Sequence, residues 1–278
     1  MILSVPHKIC ENVWALGNRA FPSFLLRTPN GLYILEPELS CNLSLIEKQL
    51  KTIGFSLKEI DGCIVLHEHY DHVMMVPGLK ALNPEIEIFV PLKSERFLQK
   101  ESLLAYRLFD EFTCEKLNLP AAETETNMGF NTYDESTHID GIEFIHTPGH
   151  SPFSYTALFN GTAFVSDAAG FWGEKLKFPL YFQSFERYIE SIEKIAKIRP
   201  HTVITGHFSY FSKDEADKML KESIKMAEQL KKRLEGKTLD EETVKTLYRE
   251  IYRDEFLLYP EEVIKSVARY IIKRSVEV

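Results

Sequence analysis

The sequence predicts an α/β protein closed by a helical C-terminal extension. Two observations carry that reading. Strand-like and helix-like segments alternate through two successive halves of the chain, and the last 70 or so residues carry helix signals alone. The expected division is an α/β domain over 1–208 and a helical extension over 209–278 packed on it. With 278 residues, 44% of them hydrophobic, the chain can bury a large core.

The elements follow in order. ENVWALG (11–17) and PSFLLRT (22–28) are short apolar runs, and the turn signal TPNG at 28–31 predicts a hairpin of 23–28 with 31–36. Leu43, Ile46, Leu50 and Ile53 recur at helical spacing over 43–53, and Gly54 can end that helix. IDGCIVL (60–66) reads as a strand. HVMMVPGLKALN (72–83) then starts a helix that Pro77-Gly78 interrupts, and EIEIFV (85–90) alternates as a strand. Phe97, Leu98, Leu104, Leu108, Phe109 and Phe112 predict one helix or two over 94–117, and polar 118–136 reads as an exposed loop or lid. IDGIEFIHTPGH, SYTALFN and TAFVSDAAG are three further strand segments, the last two joined by the hairpin signal Asn160-Gly161. Phe185, Ile189, Ile192, Ile195 and Ile198 mark a helix within 182–198, and HTVITGH (201–207) is a last strand. Beyond it, Ser212-x-x-Glu215 and Thr238-x-x-Glu241 read as capping boxes, with Gly236 closing the first helix and Pro260 opening a third in its first turn.

Composition narrows the function classes. The net charge of −8, from 41 acidic and 33 basic residues, offers no positive field for phosphate backbones, so nucleic acid is not expected as a partner. Cys10, Cys41, Cys63 and Cys114 are scattered without metal or disulfide spacing and read as reduced, buried residues. The opening MILSVPHKIC lacks the pattern of a secretory leader, and no apolar run approaches a membrane span. The expected location is the cytoplasm, without a membrane partner.

Chemistry concentrates in HEHYDH at 67–72, at the end of the strand-like IDGCIVL. A zincin reading fails, because H-E-x-x-H requires a second histidine where this chain has Asp71. The alternative spacing works. His67 and His69 share one side of an extended segment, while Asp71 and His72 turn elsewhere, so the turn can offer two ligand pairs to two neighbouring ions. More ligands must come from other segments. FIHTPGH ends on His150, AFVSD on Asp167 and TVITGH on His207, each a strand-like run closing at a small-residue turn. Imidazole and carboxylate suit zinc, iron or manganese.

HEHYDH followed by TPGHS, VSDAA and ITGH resembles the metallo-β-lactamase-fold hydrolases over roughly residues 10–210. The resemblance implies an αββα four-layer sandwich with metals at one edge of the packed sheets. It implies that His67, His69 and His150 hold one divalent ion, that Asp71, His72 and His207 hold a second, and that Asp167 bridges them. Zinc is the expected metal, with iron or manganese as alternatives. Asp167 and His69 separate the chain from branches with Cys and Glu at those places. Two departures, Val73-Met74-Met75 after the motif and LEPELS in place of I-D-T-G, are expected to bear on packing and substrate more than on chemistry.

Two bridged ions can share a water, and metal binding lowers the pKa of water from about 15.7 to about 7. The expected activity is metal-dependent hydrolysis, a bridging hydroxide attacking a small ester, thioester or lactone, with Asp71 holding the nucleophile or taking its proton. No G-x-S-x-G signature competes with it. In position only, the helical extension resembles those of glyoxalase II-like and quinolone-signal-response-type thioesterases, which cover the site mouth and suit a small-molecule substrate. The alternatives are a di-iron oxidoreductase on the same fold and a non-catalytic protein that keeps the metals. A homodimer is compatible with this reading. Tyr70, Phe153, Tyr155, Phe171, Trp172, Tyr181 and Phe182 are pocket candidates, and ordinary core residues otherwise. Lys225, Lys231, Lys232 and Arg233 read as the solvated face of a helix, with an anionic substrate tail as the other reading. His146 and His201 flank the ligand turns and read as supporting or surface residues; His7 and His138 are unassigned.

Overall fold

A computed structural model describes residues 1–122 and 128–277. Two antiparallel hairpins open the first sheet. β1 (His7–Cys10) pairs with β2 (Val13–Gly17), which pairs with β3 (Pro22–Arg27). The predicted turn closes β3 onto β4 (Leu32–Leu35) in the register Arg27↔Leu32, with Thr28 and Gly31 bonded across it. Helix α1 (Asn42–Thr52) ends just before Gly54, whose φ of +86° suits glycine. β5 (Gly62–Ile64) and β6 (Glu87–Pro91) then add in parallel, joined through α2 (Val76–Leu82). Pro77 does not interrupt α2. It lies in its first turn, where the missing N–H costs nothing.

Helix α3 (Lys100–Lys116) follows a single 3-10 turn at Glu95–Leu98. The expected loop at 118–136 is only partly that. Residues 123–127 lie outside the described residues, while β7 (Asn131–Tyr133) completes the first sheet in the order β1-β2-β3-β4-β5-β6-β7. Only three residues long and polar at its start, β7 leaves no readable alternation in the sequence.

The second sheet contains β8 (His138–Ile139), β9 (Ile142–His146), β10 (Tyr155–Phe159) and β11 (Thr162–Ser166). Asn160 and Gly161, both at positive φ, turn β10 into β11 as predicted. A small pair, β12 (Phe171–Trp172) and β13 (Lys177–Phe178), leads to α4 (Phe185–Ile198), where Ser184 accepts the first-turn N–H of Arg187. β14 (Thr202–Thr205) lies parallel to β11, and β15 (Tyr210–Ser212) closes the order β15-β14-β11-β10-β9-β8.

Alternation along the strands sets the layers. In β3, Phe24 and Leu26 join Tyr33, Leu35, Ile64, Phe144, Phe164 and Ile204 between the two sheets. Leu25 faces the other way and packs with Ile34, Cys63 and the α1 residues Ile46 and Leu50. On the second sheet Ala163, Val165 and Val203 belong to the same outer cluster as Tyr188, Ile192 and Ile195 of α4. Each sheet is thus covered on both faces, giving the expected αββα sandwich.

Three long C-terminal helices follow: α5 (Asp214–Leu234), α6 (Glu241–Ile251) and α7 (Glu261–Val276). Their starts differ from the predicted caps. Ser212 belongs to β15, so α5 begins after Lys213; Asp240, accepting from Thr243 N–H, caps α6 while Thr238 bonds to Asp240; and Pro260 is the N-cap of α7 rather than part of its first turn. No helix among the described residues is long and apolar enough to cross a membrane.

Candidate metal centre

The central strand β5 delivers the histidine-rich turn. Just past its end, Leu66 donates its N–H to Glu36 Oε1 at 3.2 Å and its carbonyl accepts from Tyr155 N–H at 2.9 Å. The strand end is therefore pinned to both sheets before His67 begins. His67 and His69 project to one side. Glu68 between them projects away, and its buried Oε2 accepts from Ser151 Oγ at 2.6 Å, tying this turn to the loop that carries His150. Tyr70–His72 then form one 3-10 turn, with His72 N–H returning to the His69 carbonyl, and this rotation separates Asp71 and His72 from the first pair.

Two glycines let the remaining residues approach. Gly149 has φ +126°, and a Cβ there would lie 2.3 Å from the backbone nitrogen of Tyr188, so only glycine lets the Thr147–His150 loop seat against α4. A Cβ on Gly206 would sit 2.9 Å from Asp167 Oδ1 and from the His72 ring. Ser166, at φ +49°, ends β11 and presents Asp167.

All seven residues singled out by the sequence meet here. His67 Nε2 and His150 Nε2 lie 3.2 and 2.8 Å from His69 Nδ1. Asp71, His72 and His207 form a second group whose ligand atoms lie within 4.8 Å of one another. The Asp167 carboxylate stands between them, Oδ2 3.4 Å from His150 Nε2 and 3.7 Å from His72 Nε2, with Oδ1 3.4 Å from His207 Nε2.

The donor set fits a cation. His150 Nδ1–H donates to the Leu180 carbonyl at 2.9 Å, and His207 Nδ1–H to the Ala20 carbonyl at 3.0 Å. His72 Nδ1–H donates to Glu36 Oε2 at 2.6 Å. His67 Nδ1–H donates to Ser166 Oγ at 3.1 Å, whose own O–H donates to Glu36 at 2.6 Å. Every one of these four rings therefore turns its Nε2 inward, the orientation that outer partners impose on metal-binding histidines. His72 Nε2 and Asp167 Oδ1, both buried, face into the cluster without a hydrogen bond from the protein. The spacings of 2.8 and 3.2 Å approach the ~3.3 Å between two ligands of a tetrahedral ion bound at about 2.0–2.1 Å.

The two groups differ electrostatically. Burial, with the neighbouring histidines, holds His67 well below its usual range and pushes His150 down to about 3. Burial opposes protonation of His72 and His207 as well, but carboxylates outweigh it. Glu38, Glu36, Asp71 and Asp167 hold His72 well above the usual range, and Asp167 raises His207 to about 9. Asp167 is held well below the usual carboxylate range by His207 and His72 despite its burial. Glu38, 3.0 Å from His72 Nδ1, is pushed up to about 8 by burial.

The sequence reading missed three contributors. Glu36 and Glu38 come from LEPELS, a departure expected to matter for packing and substrate; instead it supplies the carboxylates behind His72. Two acids at the end of a predicted strand were the available signal. The third is Tyr259, between α6 and α7, whose hydroxyl donates to Asp71 Oδ2 at 3.1 Å and lies 3.4 Å from His207 Nε2. Nothing in the local sequence marks it.

A cavity of about 190 Å³ opens on this cluster, with His69, Asp71, His150 and Asp167 at its floor. Of the aromatic candidates, Tyr70, Phe171 and Phe182 line it. Tyr155 packs on Tyr133 and Trp172 on Phe211, while Tyr181 hydrogen-bonds Ser275, so these three serve the core; half-buried Phe153 packs on Phe97. His146 is bonded to the Pro152 carbonyl and His201 is exposed. Lys231 pairs with Glu186 and Arg233 with Glu250, as expected of a solvated helix face.

The family model described as the metallo-beta-lactamase superfamily matches residues 22–207, from β3 to the last residue of the cluster. Among solved structures, the chain is similar to a metallo-beta-lactamase family protein from Thermus thermophilus, at 15% identity over 92% of this chain and 93% of that one, with a TM-score of 0.66. It is similar also to an archaeal superfamily protein from Sulfolobus tokodaii, at 17% identity over 78% and 86% with a TM-score of 0.62. A third is a metallo-beta-lactamase from Legionella gormanii, at 17% identity over 84% and 98% with a TM-score of 0.61. At such identities the likeness is one of fold.

Proposed function

The chain belongs to the metallo-β-lactamase superfamily, and on that premise we propose that it is a metal-dependent hydrolase of a small ester, thioester or lactone. The observation that carries the proposal is the Asp167 carboxylate, set between two histidine groups and 3.4 Å from a ring nitrogen of each, at the floor of an apolar cavity. His67, His69 and His150 would hold one divalent ion, Asp71, His72 and His207 a second, and Asp167 would face both. Zinc is the proposed metal, from the predominance of imidazole nitrogen in both groups. The pair would supply Lewis-acid activation of water and of the attacked carbonyl.

The protein's own groups do the rest. Glu36, Ser166 and the carbonyls of Leu180 and Ala20 fix the rings, so that little reorganisation is needed when charge develops at the reacting centre. Asp71, which lines the cavity floor, would accept a proton at its carboxylate. Tyr259 orients that carboxylate through its 3.1 Å hydrogen bond. The apolar wall excludes water from one side of the site.

The test is metal analysis of the purified protein followed by a panel of chromogenic esters, thioesters, lactones and phosphodiesters. The proposal expects bound divalent metal, hydrolysis of at least one carboxylic substrate, and its loss in Asp71→Ala and His150→Ala. Metal-free protein, or hydrolysis unchanged in both variants, refutes it. Iron content with oxygen uptake on thiol substrates would support the oxidoreductase alternative instead.

A further inference from the structure

Beyond the reacting atoms, the cavity itself carries chemical information. One wall is Tyr106 and Phe109 of α3, another Leu180 and Phe182 ahead of α4, and the third Phe256 and Val267 of the C-terminal segment. Its polar lining consists of the metal-cluster residues, Ser266 and tyrosine hydroxyls, and no lysine or arginine lines it among the described residues. Arg274, which donates through Nε to the Phe182 carbonyl, already has its charge matched by Glu277. Away from its floor, an anionic group held against these walls would be desolvated without a cation to receive it, whereas a hydrocarbon group carries no such cost.

We propose that the group held in this cavity is an uncharged, apolar acyl or aryl moiety of about six to eight carbon atoms. The inference rests on the hydrolase reading above and names its substrate class. Size follows from volume: a dry apolar cavity of about 150 Å³ accepts benzene, and this one, open at its mouth, measures about 190 Å³. In the reaction, the acyl carbon–heteroatom bond breaks as the acyl carbon–oxygen bond to water forms. One water proton goes to the leaving group and the product is a carboxylic acid. The wall from 256 to 270 lies outside the residues matched by the family model, so this selectivity belongs to the C-terminal helices of this chain.

The experiment measures kcat/KM on the metal-loaded protein for aryl esters from acetyl to dodecanoyl, with the adipoyl monoester as a charged counterpart of the hexanoyl ester. A rise of about fourfold per methylene is expected up to six to eight carbons, then a plateau or fall, with the adipoyl ester at least about 100-fold below the hexanoyl. Tyr270→Lys, at an exposed position on the lining, should narrow that gap about tenfold. In parallel, methyl ketones of three to twelve carbons are titrated against metal-free protein by thermal shift, with the largest shift expected near eight. Equal or faster turnover of the adipoyl ester, or no chain-length dependence, overturns the inference while leaving the hydrolase reading intact. If no ester, thioester or lactone is hydrolysed but the ketones still show a length optimum, the hydrolase reading fails and the cavity assignment stands. A flat ketone series together with no hydrolysis overturns both.

Discussion

Replacing Glu36 with glutamine tests the outer support of the centre in a quantity the structure allows to be worked through. Glu36 Oε2 accepts from His72 Nδ1 and Ser166 Oγ, both at 2.6 Å, and Oε1 accepts from Leu66 N–H at 3.2 Å. A carboxylate satisfies three donors because both oxygens only accept. The amide cannot. With its oxygen toward His72 and Ser166, its NH₂ faces the Leu66 N–H; flipped, the NH₂ faces the other two donors. Either way at least one buried donor is stranded, at a cost to folding of about 1–3 kcal/mol for each. Loss of the negative charge also weakens His72 as a ligand, and outer partners of this kind are worth about 10–100-fold in metal affinity, or about 1.4–2.7 kcal/mol. Competition against a chromophoric chelator reads the affinity of each equivalent, and thermal denaturation reads the fold. We expect the weaker equivalent to lose about 10–100-fold. A folded Glu36→Gln protein binding both equivalents within twofold of the parent would refute the assigned role of Glu36.

The remaining predictions concern protons, the tyrosine and the backbone. In the metal-free protein at pH 7, His150 and His67 are neutral while His72 and His207 are protonated, so the second metal equivalent should release more protons than the first. Calorimetry in buffers of different ionisation enthalpy checks this; equal release refutes it. The same shifts give the metal-free protein a stability maximum near pH 6.5. The depressed His150 contributes stability that is lost as pH falls from about 6.5 toward 3, and the raised His207 contributes stability that is lost as pH rises from about 6.5 toward 9, each by about 1.4 kcal/mol per pH unit. Denaturation midpoints across pH 4–9 would show it, and a stability that rises steadily to pH 9 would count against it. Tyr259→Phe should lower kcat about 10-fold through a misplaced Asp71 while leaving metal stoichiometry unchanged. Loss of metal instead would mean that the tyrosine supports binding rather than positioning. Gly149→Ala should cost about 3 kcal/mol or more in urea denaturation, since its Cβ would meet Tyr188 backbone at 2.3 Å, and near-parent stability would contradict that packing.

The ligand-bearing turns were legible because the chemistry is local in each. Short β-rich apolar runs reveal β5, β9, β11 and β14, and a histidine or aspartate closing each stretch is visible without knowing what it faces. Helix α4 was legible for the same reason, its apolar residues recurring through one face. The short strands β7 and β15 were not, since nothing in their local pattern separates them from a loop and their identity comes from the neighbours they pair with. The caps of α5 and α6 failed as readings because Ser212 was claimed by β15 and Thr238 lies ahead of the residue that caps, Asp240.

By itself the sequence singled out the seven side chains that the fold brings together, because residue type and position at the end of a strand-like run are visible locally, and the family resemblance supplied their expected division into two sets. Tertiary structure alone decided what stands behind and above them. Glu36 is 36 positions from His72, and Tyr259 is 188 from Asp71. A contact across such a distance leaves no periodic trace in the chain; it exists only once two sheets pack and three helices close over their edge. The same packing brings α3, the segment ahead of α4 and the C-terminal helices around one apolar space, so the lining of the cavity is set by the fold rather than by any motif.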